Sequence, residues 1–265
     1  MSQPVQFNFG VEIETRTSSK SKKHNSWLRL AKEVSQELTK KGIPSHIIQA
    51  EWEKSEEKYQ NSLELVSPVL SYSDPEWLNQ INTTWSVLDA KFDVEKGLPQ
   101  TSTHVHLSPI SDGWTIGSVR NVALAAVFFE RSIDSIVPVL RRANIWCQSN
   151  RHNANLQSLK MPEIFKKLNS FNNIGTVVSY MNTMSKNSLF GKERLKEDDF
   201  KCRYFRWNLT SCESGKGTIE IRQAPGSECK ENTLTWITLP SHSSPQLSPE
   251  QAGWTLRKSP PVWMD

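Results

Sequence analysis

The sequence predicts an α+β fold in which helices cover one face of a mainly antiparallel sheet. Short segments with alternating apolar and polar residues recur along the chain, and segments with helical periodicity lie between several of them. The order lacks the regular strand–helix–strand repeat of a parallel sheet, which favours antiparallel pairing. With 265 residues, the chain is long enough to bury a substantial core in one large domain.

The first part of the chain contains three predicted strands and one helix. Residues 7–14 alternate apolar and polar side chains, as a half-buried strand does. Apolar residues at helical spacing predict a helix over 27–41, and Gly42 ends it. Two further strands are predicted at 46–50 and 62–66, on either side of an acidic loop.

The middle of the chain is dominated by two helical patterns. Asp74 and Pro75 form a helix start signal, because a capping residue is followed by a proline suited to the first turn. A strand is predicted at 104–107. The longest apolar helical pattern covers 116–142 and contains Pro138, where we expect the helix to kink or end.

The last part of the chain is predicted to hold two short helices and a hairpin. The helices lie at 162–168 and 175–181. Strands at 204–209 and 218–223 enclose the turn-rich segment SCESGKG, as in a β-hairpin. All these elements fall within one predicted domain.

That domain extends over 7–239. Beyond Leu239 the sequence is rich in Pro and Ser, and we expect residues 240–265 to be a disordered tail. The segment NTLTWITLP leads directly into this tail, so no complete helix is expected after the last strand.

The composition excludes several classes of protein. With 32 basic and 28 acidic residues, the net charge of +4 is too balanced to indicate a nucleic-acid-binding protein. No apolar run approaches the roughly 18 residues of a membrane span, and the N-terminus lacks the pattern of a secretory signal. The widely spaced cysteines form no CxxC pair and are typical of reduced thiols in a cytoplasmic protein. They are Cys147, Cys202, Cys212 and Cys229.

Four predicted strands place charged or metal-ligating residues on their non-apolar side. Side chains at positions i and i+2 of a strand point to the same face, and on three strands such pairs are flanked by apolar residues. One such motif alone is usually surface decoration or a weak ion pair. The repetition of the pattern on four strands indicates one functional face. The residues are Glu12 and Glu14, Glu64, His104 and His106, and Glu220 and Arg222.

The residue types indicate the ligand chemistry. Carboxylate oxygens dominate the set, which suits Mg²⁺, while imidazole is acceptable to Mn²⁺. Converging carboxylates without cations repel each other and raise their own pKa values, and two divalent ions remove that conflict. Two such ions beside arginines are the equipment of phosphoryl transfer.

The strand at 204–209 contributes further candidates. By alternation, Arg206, Asn208 and Thr210 would share one face, and Arg203 precedes them. A basic edge strand that prevents aggregation is the competing interpretation for both arginines.

These motifs, in this order, resemble the carboxylate–amine ligase superfamily that includes glutamine synthetase and glutamate–cysteine ligase, and within it a fungal and bacterial amidoligase branch. FGVEIE is similar to the opening ExE strand of that family, LELVSP to its next acidic strand and THVHLSP to its HxH strand. RYFRWNL and GTIEIR are similar to its RYRxLN and TxEFR segments. The resemblance covers about residues 7–239.

The resemblance implies a glutamine-synthetase-like catalytic fold, with a sheet curved around the active site and helices on its convex face. ATP and two or three Mg²⁺ would bind on the concave face. Five metal ligands are implied, namely Glu12, Glu14, Glu64, His104 and Glu220. Arg206 and Arg222 would hold the phosphate chain and the acyl-phosphate. The nucleotide would contact His106, Arg203 and Asn208.

The implied reaction joins a carboxylate to an amine. The substrate carboxylate attacks the γ-phosphate of ATP, and an amine then opens the resulting acyl-phosphate to give an amide, ADP and phosphate. Two alternatives keep the same fold: a kinase-like phosphotransferase, and a binding module weakened by the short C-terminus. The sequence indicates neither the small-molecule or peptide carboxylate, nor the amine, nor the oligomeric state, and it predicts no nucleic-acid or membrane partner.

Overall fold

The computed structural model describes residues 6–44, 46–49, 62–98, 100–110, 113–184, 201–213, 215 and 217–243. This part of the chain forms eight strands and seven helices, and the predicted α+β class is confirmed. The strands are β1 (Asn8–Ser19), β2 (His46–Gln49), β3 (Ser62–Val66), β4 (Leu70–Ser71), β5 (Phe92–Val94), β6 (Ser102–Ser108), β7 (Trp207–Asn208) and β8 (Ile219–Pro225). The helices are α1 (Trp27–Thr39), α2 (Glu76–Lys91), α3 (Ile116–Ile136), α4 (Val139–Arg142), α5 (Met161–Ser170), α6 (Ile174–Met181) and α7 (Lys230–Ser243).

The sheet is open and antiparallel. Its strand order is β2-β3-β1-β6-β8-β7, and β4 and β5 pair with the two ends of β1. Each pairing between named strands in the described part of the chain is antiparallel. The long first strand lies inside the sheet between β3 and β6, so residues of β1 have neighbours on both sides.

The main core lies between the apolar face of the sheet and the helices. Val11 of β1, Val105 of β6 and Ile221 of β8 belong to one buried cluster with Ala126 and Val127 of α3. Full burial of one Val or Ile side chain stabilises the fold by about 1.5–3 kcal/mol. Since the apolar residues of each strand alternate with the charged ones, burying one face turns the charged residues to the other.

Polar side chains and a glycine lie at the observed helix ends, and two of them, Gly42 and Asp74, are predicted signals. At the start of α1, Ser26 accepts a hydrogen bond from Arg29 N through its side chain. Gly42 follows this helix with a φ of 75°, a conformation that glycine adopts without steric cost. Asp74 Oδ1 accepts from Glu76 N at the first residue of α2. The predicted 27–41 helix is two residues shorter, because it ends at Thr39.

Two segments differ from the sequence-based prediction in length. The helical pattern over 116–142 is broken at Pro138, as expected, and forms α3 and α4. The strand predicted at 204–209 is confined to Trp207 and Asn208, since the backbone bends at Arg206. Arg206 N instead donates to Gln148 O over 2.9 Å.

The C-terminal part of the chain corrects one expectation. A complete helix, α7, follows β8 directly, and its Trp236 and Ile237 are buried in the main core. Trp85 Nε1 of α2 donates to Thr233 Oγ1 over 2.9 Å, which ties the two helices together. The expectation that no helix follows the last strand is therefore wrong. Of the predicted tail, residues 240–243 belong to α7, so the tail begins later than predicted, and residues 244–265 lie outside the described residues.

The four cysteines are unpaired, and three of them are buried. Burial raises the pKa of Cys147 and Cys202, and it raises the pKa of Cys212 to about 12. These three thiols are therefore protonated near neutral pH and do not supply a thiolate nucleophile. None of the described helices is long and apolar enough to cross a membrane.

Candidate active site

The register of the sheet brings charged residues of β3, β1 and β6 side by side. Glu14 lies directly opposite Glu64 of β3, and Glu12 lies directly opposite His104 of β6. Glu14, Glu64 and His104 are buried, with 3–7% of their surface exposed. Two carboxylates at directly opposed positions of a sheet repel each other. The position of Glu64 opposite Glu14 therefore favours a cation between the strands.

The same row continues across β8 and β7. His106 lies opposite Glu220, and Glu220 lies opposite Asn208. Asn208 Nδ2 donates to Glu220 Oε2 over 2.8 Å. We call the set gathered on this face the polar-face cluster. Its members are Glu12, Glu14, Glu64, His104, His106, Glu220 and Arg222.

Glu12 is the centre of the polar-face cluster. Its Oε2 lies 2.9 Å from His104 Nδ1, and its Oε1 lies 3.1 Å from His106 Nε2. Glu220 Oε1 lies 3.3 Å from the same His104 Nδ1. Both imidazoles therefore converge on carboxylates with one ring nitrogen each.

The geometry offers two groups of metal ligands that share one residue. Glu12, Glu64 and His104 form one group, and Glu12, His106 and Glu220 form the other. Within each group the potential ligand atoms lie within 4.8 Å of one another. Glu12 and His106 retain 22% and 24% side-chain exposure, so the cluster is open to solvent on their side. The arrangement is suited to two neighbouring divalent ions with Glu12 between them.

The protonation states of the cluster reflect these contacts. Burial opposes ionisation of Glu12, but hydrogen bonds from His104 and His106 outweigh it, so the pKa of Glu12 is lowered. Burial also opposes ionisation of Glu220, but the charge of Arg222 lowers its pKa. His106 has a raised pKa because Glu12 more than offsets the effect of its burial. In the metal-free protein, a proton on His106 thus neutralises part of the carboxylate charge.

Hydroxyl groups fix the orientation of both imidazoles. Ser102 Oγ lies 2.7 Å from His104 Nε2 and donates to Glu14 Oε2 over 2.5 Å. Thr218 Oγ1 lies 3.0 Å from His106 Nδ1. His104 therefore presents Nδ1 to the carboxylates, and His106 presents Nε2. The His106 Nε2 atom is buried and lies 3.1 Å from Glu12 Oε1, so it faces the carboxylate that both ligand groups share.

A bulge in β8 places Arg222 beside the cluster. Thr103 pairs with Ala224 and Val105 pairs with Ile221, so two residues of β8 lie opposite one residue of β6. Such a bulge bends the strand and redirects the side chain at that position.

The backbone of Arg222 is supported from outside the sheet. Its carbonyl accepts from Arg141 Nη2 over 2.5 Å and from Cys147 Sγ over 3.0 Å. Its N–H donates to Arg206 O over 2.8 Å. Arg141 and Cys147 are both buried, so this carbonyl is satisfied without water. The bulge is therefore anchored from three positions.

The guanidinium of Arg222 forms an ion pair with Glu220 Oε1. Burial works against its charge, but Glu220 and Glu14 more than compensate and raise the pKa of Arg222. The guanidinium carbon of Arg222 lies 6.0 Å from the centroid of the Tyr204 ring. The guanidinium carbon of the exposed Arg203 lies 5.3 Å from the same centroid. Arg203 thus lies at the rim, one aromatic ring away from the cluster.

The structure does not bring Arg206 to the polar-face cluster. Its Nη1 lies 3.1 Å from Glu130 Oε1 and 2.6 Å from Asp134 Oδ2, both of which belong to α3. Its Nη2 donates to Arg142 O over 2.9 Å. The prediction that Arg206 and Asn208 share one face is wrong, because strict alternation begins only at β7 and the chain bends at Arg206.

A small cavity adjoins the cluster at its open side. Its volume is about 160 Å³, and Glu12, His106 and Thr218 line it with Ser67 and Gly10. This volume accommodates several water molecules or one small polar group. A ligand group in it would contact both the shared carboxylate and the half-exposed imidazole.

Sequence reasoning missed the residues that hold the site together. Ser102 and Thr218 orient the imidazoles, while Arg141 and Cys147 support Arg222. For Ser102 and Thr218 a signal was available, since they precede His104 and Glu220 by two residues and so lie on the same face. Arg141 and Cys147 lie in segments whose approach to the site depends on the complete fold.

The chain matches the model of a known family along most of its length. The family model described as "putative amidoligase enzyme" matches residues 6–243, a span that contains every described strand and helix. The search of curated proteins found no match. Because the family model covers most of the chain, the protein belongs to the family of "putative amidoligase" enzymes.

Proposed function

We propose that this protein is an ATP- and Mg²⁺-dependent amidoligase that joins a carboxylate to an amine through an acyl-phosphate. The observation that carries the proposal is the pair of ligand groups that share Glu12 on one face of the sheet. Membership of the amidoligase family supports ligase activity. The proposal includes a sheet of the glutamine-synthetase type. It also includes a cytoplasmic location, because the use of ATP and the free thiols suit that compartment.

The donor set fits Mg²⁺, with Mn²⁺ as an alternative. Glu14 and Glu64 are buried carboxylates at opposed positions, and Glu12 is shared by both ligand groups. Carboxylate oxygens are the preferred ligands of both ions, and imidazole is tolerated by Mn²⁺. When bound, the ions would neutralise phosphate charge during transfer. The residues that would hold them are Glu12, Glu14, Glu64, His104 and Glu220, with His106 at the second group.

The chain itself would supply charge and position for the first step. Arg222 keeps its positive charge over the working pH range, because its pKa is raised beside Glu220. Its guanidinium can form two parallel hydrogen bonds to a phosphate. In that step a substrate carboxylate oxygen attacks the γ-phosphorus of ATP, the bond to the β,γ-bridging oxygen breaks, and ADP leaves. Arg203 and Asn208 are proposed to contact the nucleotide from the adjoining segment.

The second step forms the amide. The amine nitrogen attacks the acyl carbon, the bond from that carbon to the phosphate oxygen breaks, and phosphate and a proton are released. The acyl-phosphate must be protected from water until the amine arrives. Most of the cluster is buried, since Glu14, Glu64, His104 and Glu220 expose less than a tenth of their surface.

The proposal is tested by product analysis with pooled carboxylic acids, amino acids and amines in the presence of ATP and Mg²⁺. We expect ADP release that depends on the amine, and a new amide detected by mass spectrometry. Glu12→Gln keeps the side-chain volume but removes the shared negative charge, so it should abolish turnover. The variant serves as a control for contaminating ATPases.

Two outcomes would contradict the proposal. A stable phosphorylated acceptor without amide would indicate a kinase-like phosphotransferase. Wild-type ADP release by both Glu12→Gln and Glu220→Gln would contradict the assignment of the metal site. The alternative of a weakened binding module rested on a short C-terminus, and α7 follows β8 with Trp236 and Ile237 in the main core.

A further inference from the structure

A second, larger cavity lies beside α3. Its volume is about 750 Å³, within the range of small-molecule binding sites. Glu130 and Asp134 of α3 line one side, and Arg206 lines it from the segment before β7. Arg142 lines it from α4, and Gln148 lines it from the segment between α4 and α5. No member of the polar-face cluster lines it.

The two carboxylates of this cavity are already satisfied. Glu130 accepts from Arg206 Nη1 over 3.1 Å and from Asn150 N over 2.8 Å, and Ser149 Oγ also donates to it. Asp134 accepts from Arg206 Nη1 over 2.6 Å. Neither acid therefore needs a further cation, and Arg206 alone balances much of their charge.

Three other arginines leave the cavity with an excess of positive charge. Arg131, Arg142 and Arg151 line it, and its acids are bound to Arg206. The side chains of Arg131 and Arg151 form no hydrogen bond or ion pair with any residue in the described ranges. Arg142 uses only its Nε, which donates to Val137 O over 3.1 Å. Their guanidinium forks are therefore available to a ligand.

Arg206 forms the inner wall of the cavity. It is 95% buried, and its guanidinium binds Glu130, Asp134 and the carbonyl of Arg142. The cavity thus combines room with an excess of positive charge on its accessible arginines.

We propose that this cavity binds a small molecule with two or more oxyanion groups, either carboxylates or phosphates. Planar guanidinium groups match both kinds of oxyanion with paired hydrogen bonds. Arg131 and Arg151 contribute the free charges. The site is separate from the polar-face cluster, so it does not depend on the proposed ligase activity.

The test is isothermal titration calorimetry of the full chain, freed of divalent ions on a chelating resin. Pyrophosphate and citrate serve as the two probes, because they represent the phosphate and the carboxylate source. We expect saturable binding of at least one probe, with one molecule per chain. Arg131→Gln combined with Arg151→Gln should weaken that binding at least tenfold.

The matched control is Arg29→Gln combined with Lys32→Gln. Both residues are exposed on α1, and neither lines the cavity, so the control removes the same charge elsewhere. We expect it to change the affinity less than twofold. If the double cavity variant does not fold, as judged by circular dichroism, Arg131→Gln alone should still weaken binding about threefold.

The outcomes separate the two ligand sources. Binding of pyrophosphate without citrate supports the proposal with a phosphate-bearing ligand, and the converse supports it with a polycarboxylate. Equal weakening by the cavity variant and the control would overturn the proposal, because general electrostatics would then explain the binding. Absence of saturable binding for both probes would overturn it as well.

Discussion

Two buried arginines, Arg222 and Arg206, lie beside acidic residues in very different surroundings. Arg222 faces a cluster of four carboxylates, with an ion pair to Glu220. Arg206 is enclosed by two carboxylates of α3 and by the carbonyl of Arg142. The two backbones are directly hydrogen-bonded, since Arg222 N donates to Arg206 O over 2.8 Å.

The difference teaches how to separate a functional network from a structural one. In the polar-face cluster, one arginine and two imidazoles oppose four carboxylates, so negative charge remains and protons are drawn to His106. Around Arg206, each acid has its partner within the fold, although burial still raises the pKa of Glu130. Carboxylates left without enough cations are typical of functional sites, whereas acids paired within the fold are typical of structural support.

The largest expected effect concerns the stability provided by Arg206. Arg206→Met leaves Glu130 buried without its cation, which should lower the free energy of unfolding by about 3–5 kcal/mol. Urea denaturation measures the change. The double variant Arg206→Met with Glu130→Gln should recover part of the loss, because it removes the unpaired charge. A loss below about 1 kcal/mol would show that the pair does not stabilise the fold.

The second effect distinguishes the two arginines by turnover. Arg222→Met should lower the rate of ATP-dependent product formation by about 10²–10³-fold, as expected for loss of one electrostatic group in an active site. Arg206→Met should leave the rate per folded molecule within a few fold of wild type. Steady-state kinetics, corrected for the folded fraction, measures both. Equal losses would show that the comparison between the two arginines is wrong.

The third effect is a pH dependence that originates from His106. Its pKa is raised in the folded protein, so its contribution to stability is complete below its unfolded pKa of about 6.5. The contribution is lost as the pH rises through the folded pKa. The metal-free protein should therefore lose stability above pH 6.5, by at most about 1.4 kcal/mol per pH unit. His106→Gln should flatten this profile in urea denaturation, and an unchanged slope would contradict the assignment.

The smallest effect tests the excess of negative charge. Glu14→Gln removes the repulsion with Glu64 on the opposite strand and keeps an acceptor for Ser102. We expect the metal-free protein to gain about 0.2–1 kcal/mol of stability. The same change should weaken Mn²⁺ binding, which calorimetry measures. A loss of stability would show that the favourable contacts of Glu14 outweigh its repulsion with Glu64.

Much of the site follows from the two-residue period of strands. The period places Glu12 with Glu14, and Glu220 with Arg222, without knowledge of the fold. It does not determine which residues lie opposite each other, because register depends on turns and distant pairings. The contact of His104 with Glu12 therefore required the structure.

The period also fails where a strand is interrupted. Arg206 lies one residue before β7 at a bend, so its side chain goes to α3 and not to the face of Asn208. The helix α7 was missed for a different reason. Its Thr-rich sequence has low helix propensity, and the burial of Trp236 and Ile237 in the core outweighs that preference.

The central claim is that Glu12 is shared by two metal sites, and Mn²⁺ binding to the metal-free protein tests it most directly. Calorimetry should show two ions per chain, with both affinities reduced in Glu12→Gln. Glu64→Gln should weaken one ion and Glu220→Gln the other, because each belongs to one ligand group. A single ion in the wild-type protein, or two ions of unchanged affinity in Glu12→Gln, would contradict the account.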